Sequence, residues 1–325
     1  MDKKNLRIVY MGTPDFAVAS LKALVEGGYN VVGVITMPDK PAGRGHKLQF
    51  SAVKEYAVSL NLPLLQPEKL KDEKFIEALK AWNADIQIVV AFRMLPEVVW
   101  NMPKLGTFNL HASLLPQYRG AAPINWAVMN GEKETGATTF FLTHDIDTGK
   151  IIRQEKIAIA DDENVGSVHD RLMNMGASLV TSTVDYILEG EVESIDQKEF
   201  YNNENELKAA PKIFKETCKI NWNDDSIKIY NQIRGLSPYP AAWSEIKDEE
   251  NNVLSVKIFE SKIESSGKPS DKNPGDIITD GKSFINVVTS DGIISISSLQ
   301  LSGKKRMDSK SLLNGFKIND NFRFE

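Results

Sequence analysis

Cysteine is almost missing from this 325-residue chain, and the single Cys218 leaves no partner for an internal disulfide. Histidine is scarce as well. The four at 46, 111, 144 and 169 have no spacing that would gather them around a metal ion with Cys218. A reduced protein with no metal is therefore expected. Long apolar runs are also lacking. The segment before Gly12 carries only a short one, well below what a signal-peptide core or a membrane span needs, so a cytoplasmic location and no membrane partner are expected. Glycines are missing where a dinucleotide site would need them. Gly12-Thr13-Pro14-Asp15 offers one glycine in place of three, and Pro14 removes a backbone donor, which disfavours a nicotinamide-dependent dehydrogenase. A net charge of -5 gives no global sign of nucleic-acid binding, so any such partner has to meet a local patch.

The hydrophobic content is 42%, and a chain this long is better served by two cores than by one. Apolar strand patterns at 7–11, 31–36, 86–92 and 106–111 alternate with helical patterns at 17–25, 51–60 and 74–82. This rhythm predicts an α/β domain with a Rossmann-like, doubly wound, mostly parallel sheet, whose ligands sit at the carboxyl ends of the strands. Two extended segments, 137–142 and 151–155, should be joined by a tight connection through Asp147-Thr148-Gly149. One long amphipathic helix from Val165 should close the domain before Gly190. Residues 191–207 read as a linker with little regular structure, the same polar composition running on to Lys212.

From 208 to 325 a helix capped by Asp224 and ended by Gly235 precedes short β-prone runs at 253–259, 277–279, 284–289 and 293–299. Their spacing predicts a smaller, OB-like C-terminal β-barrel. Trp222, Tyr239, Trp243 and Phe259 are expected in its core. This part holds 18 basic and 16 acidic residues against 21 and 28 before it, so a net +2 follows a net -7.

The most informative stretch runs from Gly106 to Ala127. Alternation along a strand puts Asn109 and His111 on one face and Phe108 and Leu110 on the other. Beyond this polar pair comes an irregular loop containing Pro116, then a helix that starts at Pro123. Alone, a histidine at a strand end is commonly a hydrogen-bonded structural residue.

Asn109 with Ser113-Leu114-Leu115-Pro116, Arg119-Gly120-Ala121-Ala122-Pro123-Ile124 and His144-Asp145-Ile146-Asp147-Thr148-Gly149 resembles the folate-dependent formyltransferases. The opening Gly12-Thr13-Pro14-Asp15-Phe16-Ala17, the loop from Pro38 to Gly45, Arg234-Gly235-Leu236-Ser237-Pro238-Tyr239-Pro240 and Gly303-Lys304-Lys305 are similar to the branch of that family acting on methionyl-tRNA. The resemblance runs over nearly the whole chain. It implies 10-formyltetrahydrofolate as cosubstrate, no metal, methionyl initiator tRNA as acceptor, and a catalytic domain over 1–190 followed by a tRNA-binding barrel over 208–325.

The resemblance also implies roles. Asn109, His111 and Asp147 are the expected catalytic residues. An amine attacking a formyl carbon builds negative charge on oxygen, which donors such as the Asn109 amide and a His111 N–H can hold. The attacking nitrogen must also lose a proton, and either His111 or Asp147 can take part in moving it. Phe92, Ser113, Leu114, Leu115 and Pro116 are expected to hold the reduced folate. Arg44 and Lys47, in a Gly- and Pro-rich basic loop, and Lys304 and Lys305 are expected to meet the tRNA. A monomer is expected.

Two departures accompany the match. The segment Ala91-Phe92-Arg93-Met94-Leu95-Pro96 is one residue shorter than the family pattern, leaving Arg93 either on the folate's acidic tail or in solvent. The usual His-Gly pair is His111-Ala112. The rivals are a formyltransferase for a small amine, a formyl-folate hydrolase and a non-catalytic RNA-binding homologue.

Overall fold

The computed structural model describes residues 2–42, 47–190 and 192–325. The elements run β1 (Ile8–Gly12), α1 (Asp15–Glu26), β2 (Val31–Ile35), the small antiparallel pair β3 (Lys40–Ala42) and β4 (Lys47–Gln49), α2 (Ala52–Ser59), β5 (Leu64–Leu65), α3 (Glu73–Ala81) and β6 (Ile86–Val90). After these come α4 (Glu97–Trp100), β7 (Thr107–His111), β8 (Arg119–Gly120), α5 (Pro123–Met129), β9 (Glu134–Phe141), β10 (Ile151–Ala158), α6 (Val165–Glu189) and β11 (Ala209–Ala210). The chain ends with α7 (Ser226–Leu236), β12 (Ala242–Lys247), β13 (Val253–Ser265), β14 (Ile277–Thr279), β15 (Ile285–Val288), β16 (Ile293–Leu301), β17 (Met307–Asp308), α8 (Ser309–Leu313) and β18 (Arg323–Phe324).

Chain contacts divide these into two compact units. The first comprises 1–120, 134–157 and 169–210; the second comprises 121–133, 158–168 and 211–325. Two stretches from the front of the sequence, one containing α5 and one containing the start of α6, thus belong to the unit built mostly from its end.

In the first unit a seven-stranded sheet has the order β10-β9-β7-β6-β1-β2-β5. β5, β2, β1, β6 and β7 are parallel, and β9 runs antiparallel to β7. The chain leaves β1 in one direction through β2 and β5 and returns to its other side through β6 and β7, so the expected doubly wound topology is present. Every residue of β1 and β6 is buried, as strands covered on both faces require. Val9, Met11, Ile35, Phe75, Leu79, Val89 and Val99 form a core on one face. Helix starts are fixed locally: Ser51 accepts a hydrogen bond from Lys54 N (3.0 Å) and Asp72 one from Phe75 N (3.2 Å).

The second unit contains an antiparallel sheet, β14-β15-β16-β13-β12-β18, with β17 beside β16. Its ends approach each other: Phe324 N donates to Gly275 O (2.8 Å) and Asp276 bridges Arg323, so the sheet curls into a nearly closed barrel. Inside lie Cys218, Ile220, Trp222, Ile258, Ile285, Ile296 and Phe324. Trp222 is the largest of these, and its indole N–H donates to Ser244 Oγ at 2.9 Å.

Several local expectations are corrected. Asp225, not Asp224, caps α7, accepting from Lys228 N at 2.7 Å, while Asp224 pairs with the Lys228 side chain. Gly235 does not stop α7. It lies inside the helix because Met129 of α5 packs there, and a Cβ would sit 2.8 Å from the Met129 backbone nitrogen. β12 and the elements after β16 carry no strong periodic pattern and escape the sequence reading. Trp222 and Phe259 are buried and Trp243 is half-buried, but Tyr239 is 81% exposed, held between two prolines in the turn after α7.

Candidate active site

Asn109 and His111 lie on one face at the carboxyl end of β7, as the strand alternation requires, and His111 stands opposite Thr138 of β9. His111 is buried. Its Nε2 lies 2.8 Å from Tyr118 O. A carbonyl has no proton to give, so Nε2 carries the hydrogen and Nδ1 is the ring atom left for chemistry. Nδ1 faces Asp147 Oδ2 at 3.8 Å. The same carboxylate oxygen accepts from Gly120 N at 2.9 Å. Asn109 is half-buried, and its side chain has no hydrogen-bond partner among the described residues. Its amide is therefore available to a ligand.

The backbone around these groups is unusual. Tyr118 (φ 62°) and Asp147 (φ 55°) are non-glycine residues in the left-handed region, and Ala91 (φ 47°), just past β6, is a third. Such conformations cost about 1–3 kcal/mol each and gather where a site over-determines the chain. Gly120 (φ 126°) could not be replaced cheaply, because a Cβ would meet Ala210 O at 2.5 Å.

Asp147 does not sit in a tight hairpin. β9 and β10 are joined by residues 142–150, and Asp147 rises within that connection. Asp145 does not bond the turn's amides as an Asp at such a place commonly does. Its side chain is exposed, and it is the Asp145 carbonyl that accepts from Thr148 Oγ1 (3.1 Å).

Ser113 to Pro116 is held from below. Thr138 Oγ1 donates to Ser113 O (2.6 Å) and accepts from Leu115 N (3.1 Å). Gln154 Nε2 donates to Leu115 O (2.6 Å). Ser113 Oγ is turned back onto Gln117 O (2.7 Å), Leu115 packs with Phe140 and Ile151, Pro116 is buried, and Leu114 is half-buried. Of this loop, then, Leu114 is the more accessible apolar side chain. Phe92 is half-buried at the edge of the first-unit core. Just after it an open groove of about 660 Å³ is lined by Leu70, Lys71 and residues 93–98.

Arg93 is half-buried at the lining of this groove, and its Nε–H has no hydrogen-bond partner among the described residues. Its guanidinium binds the carbonyls of Pro67 and Glu68, and burial pulls its pKa below the usual value. Arg44 lies outside the described residues, as does the Lys47 side chain. Lys304 and Lys305 are exposed in the second unit, whereas the neighbouring Arg306 is committed to Ser298 and Glu260.

The structure adds Tyr118, Thr138, Gln154 and Gln197 around the site. Tyr118 lies within the informative stretch but acts through its own carbonyl, and Thr138, Gln154 and Gln197 belong to no motif and reach backbone groups distant in the chain, so no sequence signal marks their roles. The supposed linker is likewise tied down: β11 pairs with β8, Tyr118 N donates to Lys208 O (2.6 Å), and Lys208 N donates to Gln117 Oε1 (2.8 Å). The polar sequence lacks apolar periodicity because hydrogen bonds, not apolar burial, fix it.

The family model described as formyl transferase matches residues 5–184, and the one described as formyl transferase, C-terminal domain, matches 212–317. The chain belongs to the formyl transferase family. A relative from Bacteroides fragilis named methionyl-tRNA formyltransferase is 65% identical, the match covering 100% of this chain and 99% of the relative. Among solved structures, HypX from Aquifex aeolicus in complex with tetrahydrofolic acid superposes with a TM-score of 0.62 at 18% identity, covering 95% of this chain and 47% of HypX. The chain thus spans about half the length of HypX. An N-formyltransferase from Helicobacter canadensis, in complex with folinic acid and dTDP-3-aminofucose, gives 0.63 at 20% identity over 90% of this chain and 98% of that one. At these identities the two structures speak for the fold alone. No described helix is long and apolar enough to cross a membrane.

Proposed function

We propose that this enzyme transfers the formyl group of 10-formyltetrahydrofolate to the amino group of methionyl initiator tRNA, in the cytoplasm and as a monomer. The acceptor is supported by the full-length identity to proteins named for that reaction. The observation that carries the mechanism is the meeting of His111 Nδ1 and Asp147 at 3.8 Å, with an Asn109 amide that has no partner among the described residues.

The residues present suit a formyl donor. The Asn109 amide has no acceptor among the described residues to give up, and Phe92 and Leu114 offer half-buried apolar surface for a flat heterocycle. Ser113, Leu115 and Pro116 shape that wall from behind. The amine lone pair attacks the formyl carbon, and the carbonyl electrons move to its oxygen. Asn109 stabilises that oxygen with its N–H. The nitrogen's proton passes to the His111–Asp147 pair. With Nε2 engaged by Tyr118, Nδ1 is the position on the ring through which it moves, and Asp147 stabilises the imidazolium so formed. Collapse of the intermediate breaks the bond to the folate nitrogen, which takes a proton.

Lys304, Lys305, Arg44 and Lys47 supply positive charge for tRNA phosphates, against the overall negative balance. The first unit carries formyl transfer, and the barrel holds the tRNA.

The test is a formylation assay with methionylated initiator tRNA beside glycinamide ribonucleotide. Activity on the tRNA alone is expected, with His111→Ala and Asn109→Ala each about a hundredfold to a thousandfold slower. Equal activity on both acceptors, or formate release at the same rate without an acceptor, discards the assignment.

A further inference from the structure

We propose that Gln197 is a positioning residue for formyl transfer, locking the turn that carries Asp147 against the loop that carries Arg119 and Gly120. It lies far from the site in sequence, in a stretch that looks like linker, yet it is 1% exposed. Its Nε2 donates to Asp147 O (2.9 Å) and Gly149 O (2.8 Å). Its Oε1 accepts from Arg119 Nε (3.0 Å) and Nη2 (2.6 Å). Both amide hydrogens and both oxygen lone pairs are thereby used. A primary carboxamide offers two donors and two acceptors in one plane, and a glutamine reaches where an asparagine would fall short.

What it holds is a part of the site with little support of its own. Asp147 has a left-handed backbone without being glycine, and among the described residues its carboxylate rests on one N–H, that of Gly120. Gly120 follows Arg119 directly. The two loops are thus joined twice: by the Asp147 carboxylate on Gly120 N, and by Gln197 between the Arg119 guanidinium and the Asp147 carbonyl. Without the second tie the turn is free to carry the carboxylate away from His111 Nδ1. The Gln197 segment has independent anchors, so altering the side chain does not release it. Ile195 bridges Ile151 through both backbone hydrogen bonds (2.8 and 2.9 Å), and Asp196 caps the short 3-10 turn at Lys198 N (2.9 Å).

This inference rests on the role given to Asp147 above, and the experiment separates the two. Gln197→Glu keeps the shape and the acceptor for Arg119 but turns both donors into an oxygen facing two carbonyls; Gln197→Met removes all four bonds at similar length. Each is compared with wild type, Asp147→Asn and the corresponding double variant, for kcat, KM of folate and tRNA, and thermal midpoint. A shift of the carboxylate by about 1 Å corresponds to a loss in kcat on the order of a hundredfold, with either KM changed by less than about threefold. In the double variant the two losses should not multiply, because they act on the same group. Single Gln197 variants with kcat within about threefold of wild type per folded molecule, or losses that multiply with that of Asp147→Asn, overturn the proposal. If Asp147→Asn alone leaves kcat unchanged, it is the role of Asp147 that falls.

Discussion

Replacing Thr138 by valine tests how the loop at 113–117 is held. Thr138 is fully buried, and its hydroxyl serves Ser113 O, Leu115 N and Gln154 Nε2 at once. Valine has nearly the same shape, so the change removes hydrogen bonds without opening a cavity. Gln154 retains Leu115 O, but Leu115 N–H and Ser113 C=O lose their side-chain partner in a region closed to water. Orphaning a buried polar group costs about 1–3 kcal/mol, so two give about 2–6 kcal/mol. For a unit of this size that lowers the thermal midpoint by roughly 4–24 °C. Activity should fall too, since Thr138 pairs with His111 across the strands and the loop leads directly into Tyr118, whose carbonyl holds the imidazole. Urea unfolding with formylation measured on the same samples is the assay. Thr138→Ser, which keeps the hydroxyl and loses one methyl, should recover most of the stability. A valine variant within about 0.5 kcal/mol of wild type, or a serine variant as damaged as valine, refutes the reasoning.

Other consequences are as open to measurement. Lys304→Ala with Lys305→Ala should raise KM for tRNA while leaving kcat and the folate KM alone, and should reduce the salt dependence of tRNA binding by a slope of about 1–2. Cys218, 3% exposed and with its thiol pKa raised by burial, should resist alkylation at pH 8 until denaturant is added; ready labelling of the native protein contradicts its place in the barrel core. The Asp291 carboxyl is held below its ordinary range chiefly by Ser226 N–H (2.8 Å), with the Ser226 and Thr289 hydroxyls adding to it. Because the folded pKa is the lower one, the stability it contributes is complete above the unfolded value and fades as pH falls through the folded one. The gap in urea midpoint between wild type and Asp291→Asn should therefore be wide at pH 7 and shrink in acid; a gap independent of pH counts against this.

The amino-acid sequence by itself determined the alternation of strands and helices, the direction of Asn109 and His111 from one face of β7, and the family, because these depend on local periodicity and on motifs contiguous in the chain. It also marked Asp147, but not its company. Tertiary structure alone decided that His111 gives Nε2 to Tyr118 and turns Nδ1 to Asp147. It likewise turned Arg93 inward onto two carbonyls and exposed Tyr239. Gln197 and the stretch through Ala210 show the physical reason most plainly. Most of their partners are backbone groups: Asp147 O and Gly149 O for Gln197, Tyr118 N for Lys208, and β8 for β11. A backbone amide or carbonyl is the same chemical group at every position, so the sequence leaves no trace of which one a distant side chain will bind.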